Sequence, residues 1–333
     1  MTKRILIDNR WPIGTGIHRV AQGYFEEKPE DVELIDVSPN IRIGHPISPW
    51  ELTKSVRKVH RSGDIFFNPG FIPLVSNVIP SVVTIHDLTH IHYYSFIHKI
   101  YYERVLRPLY RKCDAIICVS NFTRNEFIEW SGIKEDRVFY VPNGLSKNFG
   151  SKVGYFSNPN SFILYPGNHR EYKNLVNLII SFAKSKLHED GFDLILTGKA
   201  SKDIMEVVSK HKIENKVKFI GFVTDEDLAA CYRQASCLAF VSRYEGFGLP
   251  LLEAMACDTP VVAAKSSSLI EVSGDAAILV SPDDTDEIAQ ALRTACLDTS
   301  VRNHLIAKGR ERVKDFDISI SGKMAWNVIK GIQ

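Results

Sequence analysis

The sequence predicts an α/β protein made of two doubly wound domains. Three observations predict it: short β-branched apolar runs bounded by turn residues, longer amphipathic stretches between them, and one polar interval after which the alternation restarts. Buried parallel strands read as continuous apolar runs, while crossover helices keep the helical period.

The first series of strands is RILID from Arg4, VELIDV from Val32, DIFFN from Asp64, SVVTIHD from Ser81 and DAIICVS from Asp114, closed by RVFYVPNG. The stretch HKIYYERVLRPLYRK over 98–112 spaces its aromatic and aliphatic residues as a helix does. Residues 145–160, LSKNFGSKVGYFSNPN, are polar, rich in Gly, Ser, Asn and Pro, and read as a linker. The second series follows as SFILYPG, FDLILTG, VKFIGFV, CLAFVS, PVVAA and AAILV, with NLVNLIISFAKSK as its first helix. The expected domains are 1–148 and 149–316, with a final amphipathic helix over 317–333 that can pack back on the first domain. Two βα series of similar size are expected to face each other across a central cleft.

Composition bounds the function. With 44% hydrophobic and 24% charged residues, the chain belongs among ordinary globular proteins. A formal net charge of +2 and the lack of any Lys/Arg-rich block weigh against nucleic acid as a partner. The six cysteines form no CxxC pair, so buried reduced thiols are expected rather than a zinc site or a disulfide framework. No run reaches the roughly 20 apolar residues that span a bilayer. The N-terminus lacks a signal-peptide stretch, and a cytoplasmic protein, at most peripheral at a membrane surface, is expected.

The densest motif is SRYEGFGLPLLEAMACDTPVVA over 242–263. Glu245 and Glu253 are separated by seven residues, and Gly246 and Gly248 lie in a loop running into a helix expected to begin near Pro250. Such a loop lets backbone N–H groups converge on a ligand, and the helix N-terminus favours negative charge there. Glu253, one turn in, can accept two hydroxyl donors such as a ribose diol. A plain strand–loop–helix turn with solvated glutamates is the alternative.

In YPGNHREYKNL over 165–175, Arg170 and Lys173 precede the next helix, where two cations and a helix dipole suit a pyrophosphate; a solvated basic loop is the alternative. In VVTIHDLTHIHYY over 82–94, a buried strand delivers His86 and Asp87 at its carboxyl end, where open α/β sheets bind ligands. His90 and His92 follow, but the spacing matches no established zinc geometry, and no metal is expected. The first βα turn, DNRWPIGTGIHRV, carries Gly14 and Gly16 but has Arg19 where a dinucleotide fingerprint needs its third glycine, which disfavours a nicotinamide enzyme. Asp225-Glu226-Asp227 reads as the acidic first turn of a helix capped by Thr224, not as a metal-binding DxD.

Residues 242–263 resemble the donor-binding signature of retaining glycosyltransferases of the GT-B fold, glycosyltransferase family 4 (glycosyl transferases group 1). The resemblance extends over nearly the whole chain through CVSNFTRNEF, VFYVPNGL and FIGFVTDEDLAACYRQAS. It implies a nucleotide-sugar donor, with Glu245 facing the sugar, Glu253 on the ribose, and backbone groups of Phe247, Gly248 and Leu249 on sugar and phosphate. It places Arg170 and Lys173 on the leaving diphosphate, although many relatives carry the Arg directly after the glycine, where this chain has Asn168. His86 would meet the donor sugar, Asp87 would orient the acceptor or its loop, and Gly14 and Gly16 would lie near donor phosphates or acceptor. Phe222 and Val223, beside Gly221, would contact the base.

GNHREYKN is similar to the corresponding stretch of bacterial mannosyltransferases. It implies GDP-mannose, with UDP-sugars next, and a saccharide or polyprenyl-linked saccharide acceptor in O-antigen or polysaccharide assembly. The implied chemistry is retaining and independent of metal or cofactor. Glu245 remains open between an electrostatic and a nucleophilic role. A non-catalytic sugar-nucleotide-binding protein is a further alternative.

Overall fold

The computed structural model describes residues 2–146, 149 and 154–332. The chain forms two compact units, Met1–Gly144 with Asp317–Gln333, and Leu145–Phe316. The linker expected over 145–160 includes 147, 148 and 150–153, which lie outside the described residues.

In the first unit, β1 (Lys3–Ile7), β2 (Val32–Asp36), β3 (Ile65–Asn68), β4 (Ser81–Ile85), β5 (Ala115–Cys118) and β6 (Val138–Tyr140) form one sheet. Its order is β2-β1-β3-β4-β5-β6, and each pairing is parallel. β3, β4 and β5 are buried at every position, which explains their unbroken apolar sequences. The helix Ile318–Gly331 belongs to this unit: Trp326 Nε1 donates to the Tyr24 carbonyl at 2.7 Å, and the Trp326 ring lies 6.4 Å from Phe67.

The second unit repeats the plan with β7 (Phe162–Tyr165), β8 (Asp193–Leu196), β9 (Val217–Phe219), β10 (Cys237–Phe240), β11 (Val261–Ala264) and β12 (Ile278–Val280). Its order is β12-β11-β10-β7-β8-β9, again parallel throughout. The order reverses between β7 and β10, so the loops leaving these neighbours diverge to opposite faces and open a crevice at their carboxyl ends. In the first unit the same reversal falls between β1 and β3.

The helix expected over 98–112 is present as a continuous helical run over 96–110 that changes its turn midway. An α-helical turn, Phe96–Tyr101, passes into a π-helical stretch, Tyr102–Leu106, and then into Arg107–Tyr110. Pro108 has no N–H to give the preceding turn, and the widened turn lies immediately before it. Thr224 does cap the helix Asp225–Gln234, its side chain accepting from Asp227 N at 3.2 Å. All six cysteines are free and buried. Among the described residues, no helix is long and apolar enough to cross a membrane.

Candidate functional site

The crevice of the second unit is built from three loops. After β7, the chain makes a short 3-10 turn, Glu171–Lys173, before the helix Leu175–Ser185. Asn174, in left-handed conformation at φ 62°, fixes this turn: its Nδ2 donates to the carbonyls of Val241 at 3.0 Å and Pro282 at 2.7 Å. Arg243 N donates to the Tyr172 carbonyl at 2.8 Å, tying the turn to the loop after β10.

The result is an ion pair across the reversal point. Lys173 Nζ donates to Glu245 Oε1 at 2.7 Å, with side-chain exposures of only 11% and 13%. The ammonium also lies 5.3 Å from the centroids of both the Tyr172 and Phe240 rings. A pair this enclosed is not the weak surface kind, since its desolvation has to be offset by geometry. It holds a cation and a carboxylate side by side where an open α/β sheet takes its ligand. Arg170 is exposed and opens the same 3-10 turn.

The loop carrying Glu245 is braced from β11 by three serines. Ser266 Oγ donates to the Ser242 carbonyl at 2.8 Å, and Ser267 Oγ accepts from Glu245 N at 2.9 Å. Ser268 Oγ spans the Glu245 and Phe247 carbonyls at 2.8 and 2.7 Å. Phe247 turns its ring inward onto Phe316, 5.6 Å between centroids, so only its backbone belongs to the ligand side. Gly248 sits at φ 116°, and a Cβ there would come 2.7 Å from Leu269 Cδ2. The helix Leu249–Ala256 begins at the next residue.

Glu253 lies on that helix and is 2% exposed. Its Oε2 accepts from Tyr232 OH at 2.8 Å, so part of the acceptor capacity reserved for a diol is already used by the protein. A carboxylate has further lone pairs for ligand donors. At the opposite edge, Phe222 is 86% exposed beside Gly221, which pairs with Gly198 in an isolated bridge; Val223 is half-buried.

The first unit supplies a second set. His86 leaves the end of β4, and its Nε2 meets the Pro69 carbonyl at 2.7 Å. A carbonyl only accepts, so the proton is assigned to Nε2 and Nδ1 is the ring's acceptor. Burial holds the imidazole below its ordinary pKa, against the raising effects of the Pro69 carbonyl and Asp87. Asp87 Oδ1 accepts from Thr89 N at 2.8 Å and shapes the turn into Thr89–His92. His90 stacks on Tyr94 and Tyr102, and His92 bonds Glu126 at 2.6 Å. Among the described residues no group of three His, Cys, Asp or Glu forms a metal-ligand cluster. Gly14 needs its freedom, at φ 86°, whereas a Cβ on Gly16 would meet nothing within 4 Å. Thr15 caps the helix Gly16–Glu26.

Lys173 and Glu245 are thus brought into contact, Glu253 shares the loop–helix segment of Glu245, and His86 and Asp87 share the end of β4. Sequence reasoning missed Tyr232, the serine brace and a buried anchor in the first loop. There Asp8 is held bidentately by Arg10 at 2.7 Å for each bond, with Asn68 Nδ2 at 3.3 Å. The DNR and KSSSL stretches after strands β1 and β11 were the available signals, since polar residues at that edge shape ligand loops.

The two sheet orders and the charged crevice define a two-domain enzyme of the GT-B class. Residues 151–312 match the family described as Glycosyl transferases group 1, and residues 17–149 match Glycosyltransferase Family 4. The O-antigen chain mannosyltransferase B of Escherichia coli is 30% identical over 76% of this chain and 70% of its own length. The O-antigen chain mannosyltransferase RfbU of Salmonella typhimurium is 28% identical over 67% of this chain and 62% of its own. Anabaena HepE, solved in complex with UDP and glucose, superposes with a TM-score of 0.75 at 20% identity, covering 99% of this chain and 100% of that one. The chain belongs to the glycosyl transferases group 1 family, and it is a glycosyltransferase.

Proposed function

We propose that the chain transfers a hexose, mannose in the favoured reading, from GDP-mannose to a saccharide or polyprenyl-linked saccharide acceptor in surface-polysaccharide assembly. The observation that carries this reading is the Lys173–Glu245 pair at the reversal point of the second sheet. The choice of mannose is supported by relatives named as mannosyltransferases, including a phosphatidyl-myo-inositol mannosyltransferase of Mycobacterium leprae that is 26% identical.

In this reading the bond from the anomeric carbon to the diphosphate breaks as the acceptor oxygen bonds to the same face, and the acceptor proton passes to the departing phosphate. Lys173, Arg170 and the N–H groups of 246–249 stabilise that leaving group without a metal. Preorganised donors of this kind are worth about 2.7–4 kcal/mol each in the barrier. Glu253 takes the ribose, Glu245 stands by the sugar, Phe222 and Val223 flank the base, and His86, Asp87, Gly14 and Gly16 serve the sugar and acceptor side. A UDP-sugar donor is the second reading, favoured by the UDP in the HepE complex.

A thermal-shift panel of GDP-, UDP-, ADP-, CMP- and dTDP-sugars tests the donor, because a ligand that binds the folded state stabilises it by mass action. GDP-mannose is expected to give the largest shift, and a larger shift with a UDP-sugar replaces the first reading with the second. Transfer sustained in EDTA, with the α-anomer in the product by NMR, tests metal independence and retention.

A further inference from the structure

The stretch from Ser95 to Ile100 is exposed at every residue, and the helix Phe96–Tyr101 buries none of its side chains. Phe96 and Ile97 are 74% and 76% exposed, and Ile100 is 45% exposed. Single apolar side chains on a surface are normal, but three on one turn make a patch that calls for a partner. The helical chain that follows is anchored, with Tyr102, Leu106, Leu109 and Tyr110 buried in the first unit. The π-helical stretch Tyr102–Leu106 lies where the outward turn gives way to the anchored one. Rare π turns concentrate at functional places.

The charge around the patch is one-sided. Phe96, Lys99, Ile100, Glu103, Arg104 and Arg107 line an open groove. Glu103 is the one carboxylate there, and it already accepts from Arg107 at 2.9 Å and from Trp130 Nε1 at 2.7 Å. Lys99, Arg104 and Arg107 thus stand as three cations against that one carboxylate. Protein-binding patches are depleted of lysine at their centre. Apolar side chains interleaved with Lys and Arg are instead the composition that settles at the headgroup–acyl boundary.

We infer that this turn is a docking surface for an anionic lipid bilayer, with Phe96, Ile97 and Ile100 entering the acyl boundary and Lys99 and Arg104 pairing with headgroup phosphates. The anchored helix behind it limits insertion to one shallow turn, which suits reversible attachment. The turn begins ten residues after His86, on the segment that leaves the carboxyl end of β4. The inference rests on no step of the transfer reaction.

The test is co-flotation of the full chain with vesicles of phosphatidylcholine alone, or doped with phosphatidylglycerol, at low and high salt. The chain is expected to float with the anionic vesicles at low salt. Lys99→Glu with Arg104→Glu is expected to weaken that partition by roughly tenfold or more. Phe96→Ser with Ile97→Ser is expected to remove the portion that survives high salt. All four residues are exposed, so an unchanged melting temperature verifies the fold of each variant. Equal flotation with uncharged vesicles, no flotation, or variants that bind like the parent would overturn the inference. So would a dimer in sedimentation velocity that Phe96→Ser dissociates, because a second copy would then cover the patch. Transfer to a soluble acceptor, measured in parallel, separates failure of docking from failure of the enzymatic reading.

Discussion

Tyr232 donates its phenolic hydrogen to Oε2 of Glu253 over 2.8 Å, with both side chains buried. The bond joins the helix Asp225–Gln234 to the helix Leu249–Ala256 and fixes how the Glu253 carboxylate is rotated. A buried carboxylate whose orientation is set in advance loses little freedom when a ligand hydroxyl arrives.

Tyr232→Phe is therefore expected to cost about 1.5–3 kcal/mol in stability, the range for a hydrogen bond to a charged group. It is also expected to raise KM for the nucleotide sugar more than it lowers kcat. Denaturant unfolding and steady-state kinetics measure the two effects. A variant with unchanged donor KM would remove Glu253 orientation from the account of binding.

Lys173→Ala should lower turnover by roughly 100-fold or more, the loss typical when one preorganised electrostatic donor is deleted. It also leaves Glu245 without its 2.7 Å ion-pair partner, so Lys173→Ala with Glu245→Gln should recover part of any lost stability but none of the turnover. Circular dichroism melts alongside initial rates decide the matter; near-parental rates in the single variant would rule out the diphosphate role.

Ser268→Ala withdraws the hydroxyl that bridges the Glu245 and Phe247 carbonyls. The expected result is a loss of about 1–3 kcal/mol of stability from the unsatisfied carbonyls, with turnover reduced because the Glu245 loop loosens. Ser268→Thr, which restores a hydroxyl, should recover part of it. Equal activity in all three forms would show the brace to be irrelevant to the reaction.

His86 gives a pH dependence of definite sign. Burial lowers its pKa in the folded chain below the ordinary value, so the unfolded chain binds the proton more readily. Its contribution is fully present above the unfolded pKa of about 6.5 and is lost as pH falls through the lower folded value. Melting temperatures measured from neutral pH downward should fall more steeply for the parent than for His86→Gln. Parallel curves would mean that His86 stays neutral or charged equally in both states.

The central strands, such as β3, β4, β7, β8, β10 and β11, stand out as apolar runs in the sequence, because strands covered on both faces leave no polar alternation to disguise them. The loops around Glu245 and Lys173 were legible for a similar reason, as glycines and charges at strand ends stand out. What the sequence could not reveal was pairing across distance. Lys173 and Glu245 are 72 residues apart, and Tyr232 and Glu253 are 21 apart, so only the sheet order brings them together. The helix around Tyr102 was legible from its spacing, with Tyr102, Leu106, Leu109 and Tyr110 buried, but the π-helical stretch within it was not, because periodicity assumes a uniform turn.

The first unit takes its closing helix, Ile318–Gly331, from beyond the second unit. The second unit is thus a continuous insertion within the first. On the ribosome, Leu145–Phe316 can fold as soon as it emerges, while the sheet made first must wait, with the Tyr24 and Phe67 side of its core uncovered, until Trp326 has been synthesised. The half of the protein translated earlier is therefore the half completed last.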